Sequence, residues 1–519
     1  MDCVTSRQLL VIQDTPALLS ALVETITEKF NGEWLVISDN AITTTCLPTK
    51  QAKMLLGREF KHAIFDATSG FNLDAFTILA GTLVKGSHLL LLLPLNLLTR
   101  PDNDSLRWHE SLQPIVTPNF YRYLLQTLQQ HKIERLTAEQ YLSRQPNQAL
   151  CGDQAVSDQP KPLTLSPTFA QCRLLLKLRK LSARIAIVTA KRGRGKSALA
   201  GLFTHQQDCW ICAPNKASIT TLQQFAKADT PFFAPDNLLK QLNDSVIPPE
   251  WIVIDEAAMI PLPLLKAIIE KANRILLLTT TEGYEGTAQG FLVKLLPNLQ
   301  NFAHFNLISP IRWDQEDKLE KFIADLLVED HQVNPVSLLC DQTTIKIEKV
   351  ASISLSQNKS QFLQLYGLLK TAHYRTTPID LRRLLDATNV SITQAKCKDQ
   401  LIGVVVAIKE GQLPLDLAKQ VWLGTRRPKG NLVAQSLAAH AGELVAAQLT
   451  SLRINRIAIH DDVRRQGVGK ALVANQIEQA VQQGCDFVSV SFAYQPTILN
   501  FWQHCGFQLV HIGSHQEAS

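Results

Sequence analysis

Apolar residues along this chain gather in short uninterrupted runs, and the segments between them carry apolar positions at helical spacing. That rhythm predicts strands alternating with helices. In the first third the strands fall at Gln8–Ile12, Trp34–Ser38, His62–Phe65 and Leu89–Leu93, with a helix predicted over Pro16–Phe30. In the middle third they fall at Arg184–Thr189, Trp251–Ile254 and Arg274–Thr281. In the last third Gln400–Val406 forms one strand, and Arg456–His460 and Phe487–Phe492 alternate as strands with period two. Val468, Leu472, Val473 and Ile477 share one face of a helix that follows the second of these. The polar, proline-bearing stretch 147–168 reads as a linker, and 332–345 breaks the pattern again. The expectation is an α/β protein with three domains, over 1–155, 156–335 and 345–519.

Composition changes this picture little. A hydrophobic share of 45% and a charged share of 19% supply several globular cores in 519 residues. The net charge of +6 permits an anionic partner without requiring one. The longest apolar run, Leu89–Leu98, is broken by Pro94 and Asn96 and is far short of the ~20 residues a membrane span needs. No secretory signal opens the chain, so a cytoplasmic protein is expected. Of the ten cysteines only Cys209 and Cys212 stand close together, inside an apolar run without a second pair, so core thiols are expected rather than a zinc site.

Two stretches carry chemistry. In the first, the strand ending at Thr189 runs into Ala190-Lys191-Arg192-Gly193-Arg194-Gly195-Lys196-Ser197-Ala198-Leu199-Ala200-Gly201-Leu202, a basic glycine-rich turn opening a helix of small residues. This is a phosphate loop with Ala190 in place of its first glycine. Its N–H groups suit a β-phosphate, Lys196 the β/γ oxygens, and the Ser197 hydroxyl a Mg²⁺ ion. Downstream, Trp251–Ile254 ends in Asp255-Glu256-Ala257-Ala258, where Asp255 suits Mg²⁺ and Glu256 would polarise an attacking water. Hydroxyls follow at Thr279–Thr281, then a flexible loop at Glu282–Thr287, and Arg312 is a candidate to reach a γ-phosphate. Asp-Glu-Ala-Ala resembles the acidic box of helicases with a RecA-like core. By that likeness Gln171 could read adenine, although a surface glutamine fits its spacing equally well. One core alone gives no expectation of processive unwinding, and residues 1–150, without a phosphate loop, read as a scaffold or docking domain.

In the second stretch, the strand Arg456-Ile457-Ala458-Ile459-His460 leads through Asp461-Asp462-Val463 to Arg464-Arg465-Gln466-Gly467-Val468-Gly469-Lys470. Glycines without a Cβ at a helix start let a pyrophosphate approach the main chain, and three cations surround them. The turn resembles the acyl-CoA loop of the GNAT acetyltransferases, and Leu499–Phe507 resembles their last helix and turn, with Trp502 where a tyrosine usually stands. His460 is the general base best placed by sequence, although a hydrogen-bonded strand-end histidine reads equally well. Two further basic segments suit RNA phosphates: His373–Thr376 leading to Arg382 and Arg383, and Trp422-Leu423-Gly424-Thr425-Arg426-Arg427-Pro428-Lys429-Gly430-Asn431. For the first, a solvated helix face is an equal reading.

The order of these modules resembles the bacterial tRNA(Met) cytidine acetyltransferases over nearly the whole chain. The resemblance implies an N-terminal α/β domain, a RecA-like P-loop ATPase domain and a GNAT domain, acting on the wobble cytidine of elongator methionine tRNA. It implies acetyl-CoA as donor, held by Ile457–Ile459 and Arg464–Lys470, and ATP (or GTP) with Mg²⁺, held by Gln171, residues 193–202 and Arg312. The chain departs from that pattern at Asp461 and Asp462, where a proline is usual, and at Thr497 and His504, where a glutamate and an arginine are usual. Longer members carry a C-terminal extension associated with tRNA binding, so RNA is expected to rest on other surfaces or bind less tightly. Two other functions stay open from the residues: a protein or small-amine acetyltransferase regulated by its P-loop domain, and an RNA-stimulated ATPase whose GNAT module only binds.

Overall fold

The computed structural model describes residues 6–29, 34–40, 42, 46–144, 166–214, 219–244, 247–281, 295, 299–329, 345–372 and 376–513. Residues 147–165 of the expected linker, the loop Glu282–Thr287, the break at 332–344 and the segment His373–Arg375 lie outside them. The chain forms two compact units: residues 1–95 with 128–324, and residues 96–127 with 325–519.

The first unit holds two parallel sheets. In the first sheet, strands β1 (Gln8–Asp14), β2 (Trp34–Ile37), β3 (Phe60–Asp66), β4 (Leu83–Pro94) and β7 (Glu134–Leu136) lie in the order β2-β3-β4-β1-β7. The helix Pro16–Lys29 buries Leu19, Leu22, Val23 and Ile26, one face at a spacing of three and four, against Ile12, Ile64 and Leu90. The run Leu89–Leu93 is buried on both sides of β4, which is why it reads as continuously apolar. Among the described residues no helix is long and apolar enough to cross a membrane.

The second sheet joins β8 (Ile185–Ala190), β9 (Cys209–Cys212), β10 (Phe232–Phe233), β11 (Trp251–Ile254), β12 (Arg274–Thr280) and β13 (Phe302–Leu307) in the order β10-β9-β11-β12-β8-β13, all parallel. Apolar clusters cover both of its faces. Cys209 and Cys212 are core thiols of β9, each pushed up to about 12, chiefly by burial. Cys397 is disulfide-bonded.

The second unit is built on β14 (Ile345–Val350), β15 (Val390–Cys397), β16 (Gln400–Gly411), β17 (Thr450–Ile459) and β18 (Phe487–Val490). The first four pair antiparallel in sequence order, and β18 pairs parallel to β17. Residues 96–127 complete this unit with the small ribbon β5 (Pro101–Asp102) and β6 (Ile115–Val116) and the start of the helix Pro118–Gln130. Here the structure corrects both sequence readings of Arg382 and Arg383. Arg382 is fully buried, with Nη2 2.6 Å from Asp102 Oδ2, between the rings of Phe120 and Trp108. Arg383 donates through Nε to the carbonyl of Trp108. Both guanidinium groups tie residues 96–127 to the helix Pro378–Asp386; Arg382 is withdrawn from solvent entirely, and Arg383 is half-buried.

Candidate nucleotide and acyl-CoA sites

Strand β8 delivers the phosphate loop at its C-terminal end, where parallel sheets place ligands. Gly193 and Gly195 sit at φ +71° and +73°, the left-handed region, and each has a neighbour where a side chain would go. A Cβ on Gly193 would lie 2.7 Å from the Trp313 ring, and one on Gly195 would lie 2.4 Å from Ile311 and 2.8 Å from Gln171 Nε2. Gly195 caps the helix Lys196–Phe203 without a side-chain bond, which leaves first-turn N–H groups for an anion. From Leu199 onward the N–H groups are spent in the helix, beginning with Leu199 to the Gly195 carbonyl at 2.9 Å. Leu199, Ala200 and Leu202 are buried, and a Cβ on Gly201 would meet the Leu222 carbonyl at 2.4 Å. These four expected cofactor residues therefore support the loop from behind; the main chain from Gly193 to Ala198 is the part that faces a ligand.

Lys196 is buried between two carboxylates, 2.7 Å from Asp255 Oδ1 and 2.8 Å from Glu256 Oε1. Burial opposes its charge, but Asp255 and Glu256 outweigh that and hold the ammonium above its ordinary value. Burial likewise pushes Glu256 up, and Lys196 pulls it back below the usual carboxylate range. Strand β12 lies between β11 and β8, so Thr280 falls beside the acids, and its hydroxyl donates to Glu256 at 3.0 Å. Glu256 itself is left-handed, at φ +49°, a strained conformation that aims the carboxylate at the lysine. Asp255 Oδ2 is buried without a hydrogen-bond partner. An orphaned carboxylate oxygen beside a P-loop serine fits a divalent cation, which Asp255 and Ser197 would hold.

Gln171 is buried, which removes the surface reading. Its Nε2 donates to the Gly195 carbonyl at 2.9 Å and its Oε1 accepts from Thr168 N, so it braces the loop from the helix Phe169–Arg179. Arg194 commits its guanidinium to protein groups, donating to Glu320 at 2.6 Å, the Ile308 carbonyl at 3.0 Å and the Arg192 carbonyl of the loop itself at 2.9 Å, which leaves its main chain for phosphate. Arg312 points to the Gly81 carbonyl at 2.7 Å and Glu59 at 3.0 Å, while its N–H reaches the Gly193 carbonyl. In this conformation its guanidinium belongs to the N-terminal sheet.

In the second unit, β17 pairs with β18 only from Ser451 to Ile454 and then continues to Ile459 paired with β16 on one edge only. A bulge against β16, between Val406 and Ala407, marks the divergence. His460 N donates to the Ile402 carbonyl at 2.9 Å. Antiparallel alternation from that bond turns the N–H groups of Arg456 and Ala458 toward β16, and those of Ile457 and Ile459 toward the open edge. Of the three main-chain N–H groups at Ile457–Ile459, that of Ala458 is thus spent in the ladder and those of Ile457 and Ile459 face the open edge. Gly467, at φ +83°, caps the helix Val468–Gln482 without a side-chain bond. Val468 is buried beneath it, and a Cβ on Gly469 would press Phe501 at 3.2 Å. Arg465, also left-handed, is exposed with Lys470 and Arg464, the last paired to Asp461 at 2.6 Å, while Gln466 reaches the Asp462 carbonyl. Backbone donors at a positive helix end, ringed by cations, suit a pyrophosphate.

His460 is buried and its Nδ1 accepts from Asp462 N at 3.3 Å, capping the turn Asp461–Val463. The same Nδ1 lies 3.5 Å from Asp462 Oδ2. Trp502 is buried among Phe492, Phe501 and Phe507, a core ring rather than a substitute acid. Thr497 and His504 lie exposed on the last helix. In the basic loop Arg426 and Arg427 are exposed, whereas Lys429 is bonded to the Leu106 carbonyl. Glu410 Oε2 accepts from Val433 N, so a carboxylate already occupies the helix start that follows this loop. That detail was illegible beforehand, since Glu410 is distant in sequence from Val433.

Three family models match the chain. They are "tRNA(Met) cytidine acetyltransferase TmcA, N-terminal" over residues 4–137, "RNA cytidine acetyltransferase NAT10/TcmA, helicase domain" over 187–330 and "GNAT acetyltransferase 2" over 364–479. A protein of Pectobacterium atrosepticum named tRNA(Met) cytidine acetyltransferase TmcA is 41% identical, covering 99% of this chain and 74% of its own length. One of the same name from Salmonella typhimurium is 41% identical over 99% and 75%. Among solved structures, an aminoglycoside acetyltransferase from an uncultured soil metagenomic sample aligns with 34% of this chain and 97% of its own, at 17% identity and a TM-score of 0.23.

Proposed function

This chain belongs to the tRNA(Met) cytidine acetyltransferase family, and from that premise we propose how its residues divide the work. The chain acetylates a cytidine of tRNA(Met) with acetyl-CoA, using a GNAT fold joined to a helicase-like nucleotide-binding domain. We infer that the acceptor is the exocyclic amine of the wobble cytidine, giving N4-acetylcytidine. The observation that carries the chemistry is the open edge of β17 running into the uncapped helix at Gly467.

The amine is a poor nucleophile because its lone pair is delocalised into the ring, so it must be extruded and held close to the thioester. As its nitrogen bonds the acetyl carbon, the carbonyl oxygen takes negative charge, which the N–H groups of Ile457 and Ile459 would stabilise. Collapse breaks the C–S bond, releases the thiolate, and frees the amine proton. The main chain at Gly467–Lys470 and the cations Arg464, Arg465 and Lys470 would bind the coenzyme's phosphates. ATP or GTP supplies no group to this transfer, and we assign its hydrolysis on Lys196, Asp255 and Glu256 to moving the RNA into place. A divalent cation held by Asp255 and Ser197 would neutralise charge on the nucleotide's phosphates.

His460 keeps a proposed role, but the capping bond favours positioning of the turn before Arg464 over proton abstraction. His460→Ala is expected to raise the KM for acetyl-CoA about tenfold, with a smaller change in kcat. Asn, whose side-chain oxygen can accept the same N–H, should restore it. A loss confined to kcat, without rescue by Asn, would return His460 to the role of base.

Arg426 and Arg427 are proposed phosphate contacts. Their double replacement by Ala should raise the KM for tRNA, leave that for acetyl-CoA unchanged, and lower the salt slope of RNA binding by roughly one per arginine. An unaltered slope removes this loop from the RNA surface. The function as a whole is tested by mass analysis of nucleosides after incubating the chain with tRNA, acetyl-CoA and ATP. N4-acetylcytidine at the anticodon is expected; acetyl incorporation that survives RNase would point to a protein or amine substrate instead.

A further inference from the structure

The ceiling of the phosphate loop is a segment no motif singled out for this purpose. Residues 308–313 cross over it: the Gly193 carbonyl accepts from Ile311 N at 2.7 Å and Arg312 N at 3.2 Å, and the Trp313 ring covers the face of Gly193. Trp313 is held from two sides. Its Nε1 donates to Glu320 Oε2 at 2.6 Å, and Glu320 Oε1 grips Arg194 of the loop. On the ring stands the guanidinium of Arg7, 3.7 Å from the centroid. Arg7 precedes the first strand of the N-terminal sheet and is 2% exposed. It is bound by Asp317 through Nε at 3.1 Å and Nη2 at 2.8 Å, and by the Ala80 carbonyl at 2.6 Å. Asp317 in turn accepts from Glu320 N, at the start of the helix Lys318–Leu326 that carries Glu320.

The N-terminal sheet grips the same segment from its other side. Lys85 N donates to the Arg312 carbonyl at 3.0 Å, Arg312 reaches the Gly81 carbonyl, and Lys85 pairs with Asp314 at 2.8 Å. A left-handed glycine has little conformational preference of its own, so its geometry is set by what leans on it. Here what leans on Gly193 is a tryptophan whose stacking partner comes from the other sheet.

We propose that Trp313 is a positioning residue for nucleotide binding, and that Arg7 makes the N-terminal sheet part of the ATP site. Residues 1–95 then have a task in the reaction although they carry no phosphate loop: they hold the loop in the shape that receives phosphate. This rests on the reading that Lys196, Asp255 and Glu256 bind and hydrolyse ATP.

Steady-state ATP hydrolysis by the full chain with tRNA tests it. Trp313→Phe keeps an aromatic ring for Arg7 but withdraws the atoms that touch Gly193, and about a tenfold rise in the KM for ATP is expected with kcat little changed. Arg7→Lys keeps the charge beside Asp317 but loses the planar stack, and a smaller rise in the same direction is expected. The KM for acetyl-CoA stays constant in both. The thermal midpoint of each variant without nucleotide separates misfolding from mispositioning: Arg7→Lys is expected to melt close to the parent. A parent protein that does not hydrolyse ATP sinks the reading beneath the proposal. A parent that does, with KM for ATP unmoved in folded Trp313→Phe and Arg7→Lys, sinks the proposal alone.

Discussion

Replacing Lys196 with Ala is expected to lower ATP hydrolysis about a hundredfold or more, because the ammonium is the charge that meets the phosphates as they rearrange. The same change has a second signature. In the free protein Lys196 neutralises Asp255 and Glu256, both at hydrogen-bond distance. Without it, two neighbouring carboxylates remain buried with no cation between them. In the parent, Glu256 titrates below its ordinary value, so its contribution to stability is complete at neutral pH and is lost as pH falls through that lowered value. In the variant the lysine's pull is gone and burial raises the carboxyl instead, so stability should rise as pH is lowered from 7 toward 5. Thermal midpoints of parent and variant across that range check the sign. Acetyl transfer measured alongside tests the coupling: a Lys196→Ala protein that acetylates tRNA at the full rate would remove hydrolysis from the reaction.

Replacing Asp102 with Ala is expected to cost about 3–5 kcal/mol of stability, the range for stripping one partner from a buried ion pair. Arg382 and Asp102 are both inaccessible to solvent, and Asp102 also accepts from Tyr121 Oη at 3.1 Å and Thr117 Oγ1 at 3.1 Å. Removing the carboxylate leaves a guanidinium facing Trp108 and Phe120 with Asp104 and Asp386 as acid neighbours. Replacing both partners, with Asp102→Leu and Arg382→Met, should recover much of the loss, since the apolar pair carries no desolvation cost. Denaturant unfolding followed in the full chain measures it. A loss below about 1 kcal/mol in the single variant would mean that the pair is hydrated and does not hold residues 96–127 in place.

Some of the site was legible because its chemistry is local. A strand, a glycine turn and a helix start are contiguous in sequence, so the loops at Gly193–Ser197 and Gly467–Lys470 declared their shape and charge directly. Asp255 and Glu256 were legible for the same reason, at the end of an apolar run; that the Thr280 hydroxyl falls against Glu256 came from the strand order. What misled was any residue whose partner is remote. Arg382 and Arg383 looked like a basic helix face, since nothing nearby hints that Asp102 and Trp108 come back to cover them. For Gln171 a surface reading stood level with a nucleotide-facing one, because the Gly195 carbonyl that it reaches lies 24 residues along the chain. The contacts of the Arg312 guanidinium with Gly81 and Glu59 are equally remote in sequence. Ala458 shows a finer version: only the pairing parity of β17 with β16 reveals which N–H groups are free.

By itself the sequence determined the α/β class, the two anion cradles, and the acids that oppose Lys196, because hydrophobic period and loop chemistry act over a few neighbouring residues. Only the tertiary structure decided which strand edge stays open at Ile457 and Ile459, which arginines are spent as buried counter-ions, and that Trp313 and Arg7 roof the phosphate loop. Those outcomes depend on contacts between segments remote in sequence, where burial and pairing, rather than local preference, set what each side chain does.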